Sequence, residues 1–205
     1  MAISDLRFGS LDAELLDKFE ESLGHGLPLD YRLFLESSNG GCLSPDAFRS
    51  SSLGEIVIVD VLFALDVEPD FDLRTWREEC EGELPSNMLV IGGDPFGGLF
   101  VLGLETQGVY FWDQAGRLAA SSKNGNAYSI SRNFSSFMIE LTGYTTGEIK
   151  GLLGKKLLQN IWHDAGGGKM QEINRSTYSE FLRIGGFQLF RQYALRPAVI
   201  RAIWA

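Results

Sequence analysis

Three short apolar segments follow one another in the middle of the chain, at residues 88–91, 99–102 and 109–112. β-branched, leucine and aromatic residues dominate each segment, and glycine-rich or polar residues separate one from the next. This spacing is typical of consecutive strands joined by short turns. The sequence therefore predicts an antiparallel meander, which restricts the chain to folds built on an antiparallel sheet.

Apolar residues with helical spacing precede these strands. Positions 11, 15, 16, 19 and 23 predict a helix that Ser10 caps and Gly24 ends. A second helix is predicted from Pro28, because a proline in the first turn loses no hydrogen bond there. The Asn-Gly-Gly sequence at 39–41 is expected to end it, since glycine accepts the left-handed backbone of a helix end.

Further elements complete an α+β pattern. Residues 70–81 predict a third helix, and a fourth is expected to be capped by Asn133 and ended by Gly143. Residues 56–65 favour a strand, and the serine-rich segment 44–52 is expected to be a loop. We therefore expect a mainly antiparallel sheet flanked by helices.

Twelve residues in the most regular segments are interpreted as structural. Eight are apolar positions expected in the core: Pro28, Tyr31, Phe34, Leu35, Ile91, Val109, Tyr110 and Trp112. Four are glycines expected to have positive φ or a close backbone approach: Gly40, Gly41, Gly92 and Gly98.

The charge of this 205-residue chain is unevenly distributed. Residues 1–150 have 24 acidic and 10 basic side chains, a net of −14, whereas residues 151–205 have 3 acidic and 8 basic side chains, a net of +5. An acidic surface favours solubility, and it equally favours association with a basic partner. Nucleases and other proteins that act on nucleic acid are basic because they hold phosphates. They are therefore one class of basic partner that an acidic chain would attract.

No pattern in the sequence predicts catalysis or a cofactor. The glycine-rich loop 92–98 lacks the order of a phosphate-binding loop and leads into a strand. His25 and His163, with Cys42 and Cys80, have no metal-ligand spacing, and the two thiols are expected to be free. We therefore predict a protein that is not an enzyme, with no cofactor, no metal and no direct contact with nucleic acid.

The chain has no apolar segment near the ~20 residues that cross a bilayer, and its first residues have no secretory pattern. We expect a cytoplasmic protein without a membrane interaction. Residues 145–205 are expected to form a basic, mostly helical extension, with apolar positions such as Leu152, Leu157 and Phe181. Its opposite charge favours packing on residues 1–144, although a role in dimerisation or partner contact is the alternative.

Four blocks in order resemble the SMI1/KNR4 (SUKH) superfamily: the Leu-Pro helix segment 27–35, the Asn-Gly-Gly turn 39–41, the Ile-Gly-Gly-Asp loop 91–98 and the Val-Tyr-Phe-Trp-Asp strand 109–113. The resemblance implies an α+β domain over residues 1–144 and a role in binding other proteins. It implies a bacterial immunity protein that binds a cognate toxin and blocks its active site. Because no export signal is visible, we expect that toxin to act in the cytoplasm and to be a nuclease or a nucleic-acid-modifying enzyme. We expect the protein itself to be a monomer or weak homodimer. The alternative that the resemblance implies is a regulatory scaffold, as in fungal members.

Partner contacts are expected from acidic and aromatic residues on loops, because a rigid scaffold leaves loops free to vary. Seven residues fit this description: Asp46, Glu68, Asp70, Asp72, Asp94, Phe96 and Glu105. An acidic surface made by these side chains would attract a basic toxin.

Overall fold

The computed structural model describes residues 8–49, 56–94, 97–114, 118, 120–122 and 125–143. Four α-helices lie in this part of the chain: α1 (Ala13–Leu23), α2 (Leu29–Ser38), α3 (Leu73–Glu79) and α4 (Phe134–Glu140). A short 3₁₀ helix, Pro69–Phe71, precedes α3. Seven strands accompany them: β1 (Gly41–Arg49), β2 (Ile56–Leu62), β3 (Met88–Gly93), β4 (Leu99–Gly103), β5 (Val109–Trp112), β6 (Ala127–Ser131) and β7 (Thr142–Gly143).

The strands form one sheet in the order β6-β5-β4-β3-β2-β1-β7. Every neighbouring pair from β1 to β6 is antiparallel. The predicted meander is β3, β4 and β5, in which Leu102 pairs with Leu89 on one side and with Val109 on the other. From β1 to β6, sequential strands are therefore spatial neighbours, although α3 is inserted between β2 and β3, whereas β7 lies beside β1 at the edge opposite β6.

Helices cover both faces of the sheet centre. All five residues of β4 are buried, and successive strand residues point to opposite faces. Phe100 is on the face that α4 covers, where its ring centroid is 5.6 Å from that of Phe137. Val101 and its strand partner Val90 are on the other face of the sheet. Helices α1 and α3 lie on that face. The predicted α+β sheet with flanking helices is confirmed.

Aromatic rings join α2 to α4. The ring of Phe134 has its centroid 4.9 Å from that of Tyr31 and 4.9 Å from that of Phe34. The Asp30 carboxylate also accepts a hydrogen bond from the backbone N–H of Ser135 at 2.8 Å, in the first turn of α4. Apolar burial and one directed bond thus fix the two helices together.

A single arginine ties α1 to α2. The Arg32 guanidinium donates to Asp17 at 2.8 Å, to Glu36 at 3.2 Å and to Glu20. The Asp17 hydrogen bond and the neighbouring carboxylates raise the pKa of Arg32. Glu20 also accepts from the backbone N–H of Leu27 at 2.6 Å. Three carboxylates of this acidic chain therefore have a structural role.

The helix ends differ in detail from the prediction. Asp12, not Ser10, caps α1, because its carboxylate accepts from the Glu14 N–H at 2.9 Å. Gly24 ends α1 in the left-handed conformation, as predicted. The residue that ends α2 is Asn39 itself, with φ 44°. Asparagine tolerates this region because its short polar side chain forms local hydrogen bonds.

The predicted helix 70–81 is interrupted at Asp72. This residue has an extended backbone, and its carboxylate caps the shorter helix α3. The fourth helix, α4, ends at Glu140, and Gly143 is part of β7 and does not end the helix. The predicted strand 56–65 also finishes early, since β2 ends at Leu62.

Two strands depart from the sequence prediction. Residues 44–49, expected in a loop, belong to β1, where the backbone pairs with β2. Ser44 and Pro45 fall in the register shift between Cys42 and Asp46, a position that tolerates proline in a strand. β6 was not predicted, because its small and polar residues have little apolar alternation. The extension expected at 145–205, and its packing on residues 1–144, lie outside the described residues and stay a prediction.

Candidate functional site

Three of the expected contact residues are exposed. Glu68 and Asp70 flank the start of the 3₁₀ helix before α3, and Glu105 lies in the turn between β4 and β5. Glu105 accepts a hydrogen bond from the Asn87 side chain at 3.3 Å, and one of its oxygens is 3.9 Å from Nδ1 of His25. All three carboxylates can face a partner.

Two of the expected contact residues are buried, so the expectation that they are exposed is wrong. Asp72 is 7% exposed and accepts from the backbone N–H groups of Asp66 at 2.9 Å and Arg74 at 2.8 Å. Asp94 is 2% exposed and accepts from the Gly98 N–H at 2.7 Å. A buried carboxylate needs such donors, and both residues hold backbone turns in place.

The remaining two expected contact residues are Asp46 and Phe96. Asp46 lies in β1, where its backbone pairs with Val59. Phe96 lies outside the described residues, as does Pro95 beside it. The structure thus places Glu68, Asp70 and Glu105 on the exposed surface, Asp72 and Asp94 in the interior, and Asp46 in a strand.

A cavity of about 630 Å³ lies between α1, α3, the turn 81–86 and β3. Its apolar wall includes the buried side chains of Phe19, Val90 and Cys80, together with Leu84 and Met88. The cavity has the volume typical of a binding site. The turn 81–86 and the end of α3 form its rim.

The charged lining of the cavity contrasts with the acidity of residues 1–150. Three basic residues line it: Lys18, Arg74 and Arg77. Lys18 pairs with Glu14 at 2.7 Å, and Arg77 donates to the Ser22 carbonyl at 2.7 Å, at the end of α1. The Arg74 guanidinium makes no hydrogen bond or ion pair to any residue that the structure describes.

Sequence reasoning missed this cavity. Arg74 and Arg77 are three residues apart on α3, which is a readable signal that they share a helix face. Lys18 and Phe19 come from α1, more than fifty residues earlier, and only the tertiary fold brings them to the same place. Three exposed large apolar side chains were also not singled out: Leu29, Leu33 and Ile139.

Residues 13–138 match the model of the SMI1-KNR4 cell-wall family. The chain belongs to this family. The match contains all four sequence blocks on which the resemblance was based, and it contains the cavity and the three exposed carboxylates. A search of curated proteins found no match.

SUKH domains are protein-interaction modules, commonly immunity proteins, and are generally not enzymes. Cys80, in the wall of the cavity of this SUKH domain, is a buried thiol. Burial raises the pKa of the Cys80 thiol to about 12, and the charges of Glu83 and Glu79 act in the same direction. The thiol is therefore protonated at neutral pH and is a poor nucleophile.

In the described part of the SUKH chain, no group of three or more histidine, cysteine, aspartate or glutamate side chains could hold a metal ion. No helix in the same residues has the length and hydropathy needed to cross a membrane.

Proposed function

We propose that this SUKH protein is a bacterial immunity protein that binds a cognate toxin and blocks its active site. The toxin is basic, acts in the cytoplasm on nucleic acid, and is a nuclease or a nucleic-acid-modifying enzyme. The family match over residues 13–138 carries this proposal, because it supports a protein-interaction module. The negative charge of residues 1–150 is the reason for proposing a basic partner.

Charge supports a basic partner in two ways. Residues 1–150 have a net charge of −14, which accelerates the encounter with a positively charged protein. Glu68, Asp70 and Glu105 are exposed, so their carboxylates are accessible to that protein. The buried Asp72 and Asp94 bind backbone groups of their own chain, and we leave them out of the proposed contact surface.

A co-expression assay tests the proposal. The protein encoded next to this gene is expressed in a bacterial host with and without the SUKH protein, and growth is measured. We expect toxicity without the SUKH protein and growth with it, together with co-purification of the two proteins. Absence of both rescue and binding would refute the proposal. Binding to a non-toxic neighbour would instead favour the scaffold function found in fungal members.

Charge reversal tests which surface is used. The triple variant Glu68→Lys, Asp70→Lys and Glu105→Lys is expected to slow association about tenfold or more at low salt, because it removes the steering charges. Glu140→Lys reverses one exposed carboxylate on α4 and is the control for each of the three single reversals. The wild-type rate should fall as salt rises, since the Debye length shortens to about 8 Å at physiological ionic strength. Equal rates for all three proteins would exclude this surface.

A further inference from the structure

We propose that the cavity between α1 and α3 receives a segment of the partner protein that carries a single carboxylate beside an apolar side chain. The inference rests on the proposed function, because it takes the ligand to be a protein segment. It goes beyond that function, because it states that the partner, whose surface is basic overall, contacts this cavity through one acidic side chain.

The apolar wall sets the first half of the specificity. Phe19, Val90 and Cys80 are between 1% and 6% exposed, so they form a floor that is already packed. Leu84 and Met88 are half-buried, and they continue this floor towards the solvent. A volume of about 630 Å³ admits an aromatic or branched aliphatic side chain together with the residue beside it.

Arg74 determines the second half of the specificity, the recognition of a carboxylate. Arg74 is a half-buried residue of the cavity lining, and its guanidinium has no hydrogen-bond partner among the described residues, whereas Arg77 already binds the Ser22 carbonyl. A guanidinium fork matches the two oxygens of a carboxylate, and a partly desolvated pair of this kind is stronger than one in open solvent. Arg74 is therefore the group that recognises the ligand, and Arg77 positions α1 against α3.

The net charge of the lining limits the charge of the ligand. Glu14 balances the charge of Lys18 at 2.7 Å, and Glu78 and Glu81 oppose Arg74 and Arg77, so these charges cancel. Among the three basic lining residues, Arg74 alone has a side chain with no hydrogen bond or ion pair in the described part of the chain, which leaves room for one carboxylate. A nucleotide polyphosphate carries several negative charges and would be repelled by the two glutamates. Because the surrounding surface is acidic, a carboxylate of the partner is disfavoured elsewhere and is directed to this cavity, which fixes the orientation of the complex.

Peptide titration of the full-length protein, followed by its backbone and arginine side-chain NMR signals, tests the inference. The probes are the blocked tetrapeptide Gly-Phe-Glu-Gly, the same peptide with Gln in place of Glu, and inorganic phosphate. We expect saturable shifts at the Arg74 side chain and in β3 with the Glu peptide, and binding at least tenfold weaker with the Gln peptide. Equal binding of the two peptides, no shift in the cavity, or tighter binding of phosphate would each overturn the inference.

Variants of the cavity test the inference by weakening and by strengthening the binding of the Glu peptide. Arg74→Gln should weaken the Glu peptide about tenfold or more, whereas Glu78→Gln should tighten it several-fold by removing a repelling charge. Arg132→Gln, on the β6–α4 connection, removes the same charge away from the cavity and should leave binding unchanged. Unchanged binding by Arg74→Gln would contradict the inference even if every variant folds normally.

Neutralisation assays with the toxin distinguish failure of this inference from failure of the proposed function. If the SUKH protein neutralises its toxin and Arg74→Gln does so with the same affinity, the cavity inference fails and the proposed function stands. If no toxin is neutralised but the Glu peptide binds with the stated dependence on Arg74, the proposed function fails and the cavity remains a carboxylate site.

Discussion

Asn39 and Leu65 are joined by two hydrogen bonds between a side-chain amide and a backbone. Nδ2 of Asn39 donates to the Leu65 carbonyl at 2.9 Å, and the Leu65 N–H donates to Oδ1 of Asn39 at 2.9 Å. Both residues are buried, at 4% and 0% exposed. Asn39 thus ends α2 and also satisfies both backbone groups of Leu65, three residues beyond the end of β2.

Replacing Asn39 tests the contribution of these two hydrogen bonds to stability. Asn39→Gly keeps the left-handed backbone and leaves two buried backbone groups of Leu65 unsatisfied, which should cost about 2–5 kcal/mol of unfolding free energy. Asn39→Ala should cost about 1 kcal/mol more, because alanine is strained at φ 44°. Urea unfolding measures both. If Asn39→Gly unfolds at the same urea concentration as the wild type, the two hydrogen bonds do not stabilise the fold.

Gly40 and Gly24 form a matched pair for testing close backbone approach. Both have a similar positive φ, 74° and 69°. A Cβ on Gly40 would lie 2.6 Å from the Leu62 carbonyl oxygen, whereas a Cβ on Gly24 would meet nothing within 4 Å. We expect Gly24→Ala to cost about 1 kcal/mol and Gly40→Ala at least ~2 kcal/mol more, because backbone must move. Equal midpoints in urea unfolding would contradict this difference.

The Tyr31 hydroxyl is buried and has no hydrogen-bond partner among the described residues. Its burial raises the pKa of the phenol. Tyr31→Phe keeps the ring contact with Phe134 and removes the unsatisfied hydroxyl, so unfolding free energy should stay equal or rise by up to about 2 kcal/mol. Tyr31→Ala, which removes the ring as well, should cost about 3–5 kcal/mol. A loss above about 1 kcal/mol for Tyr31→Phe would show that the hydroxyl has a partner.

The raised pKa of Cys80, about 12, makes stability fall at high pH. An unfolded thiol ionises near pH 8.5, so the contribution of Cys80 is complete below that pH and is lost as the pH rises from there to about 12, at up to ~1.4 kcal/mol per pH unit. Native Cys80 should also react with iodoacetamide at pH 8.5 at least ~100-fold more slowly than in urea. Peptide mapping separates it from Cys42. Rapid alkylation of native Cys80 would refute the burial of the thiol.

Local patterns in the sequence predicted the helices and the central strands. α2 and the β3–β5 meander were readable because their apolar periodicity and glycine turns lie within a few residues of one another. β1 and β6 were missed because their strand conformation depends on pairing with β2 and β5 and not on their own composition.

The candidate site was less predictable for two physical reasons. The buried carboxylates of Asp72 and Asp94 accept from backbone N–H groups two to six residues away, and the sequence does not show which acidic residues turn back onto their own backbone in this way and which, like Glu68, stay exposed. The cavity combines Lys18 of α1 with Arg74 of α3, and no local pattern indicates that contact.

A stoichiometric inhibition assay tests the central claim most directly. The toxin encoded next to this gene is purified, and its activity on nucleic acid is measured while the SUKH protein is added. A tight inhibitor that blocks the active site should reduce activity linearly to zero at one equivalent. Full activity in the presence of a tenfold excess of the SUKH protein would contradict the proposal that this chain neutralises the toxin.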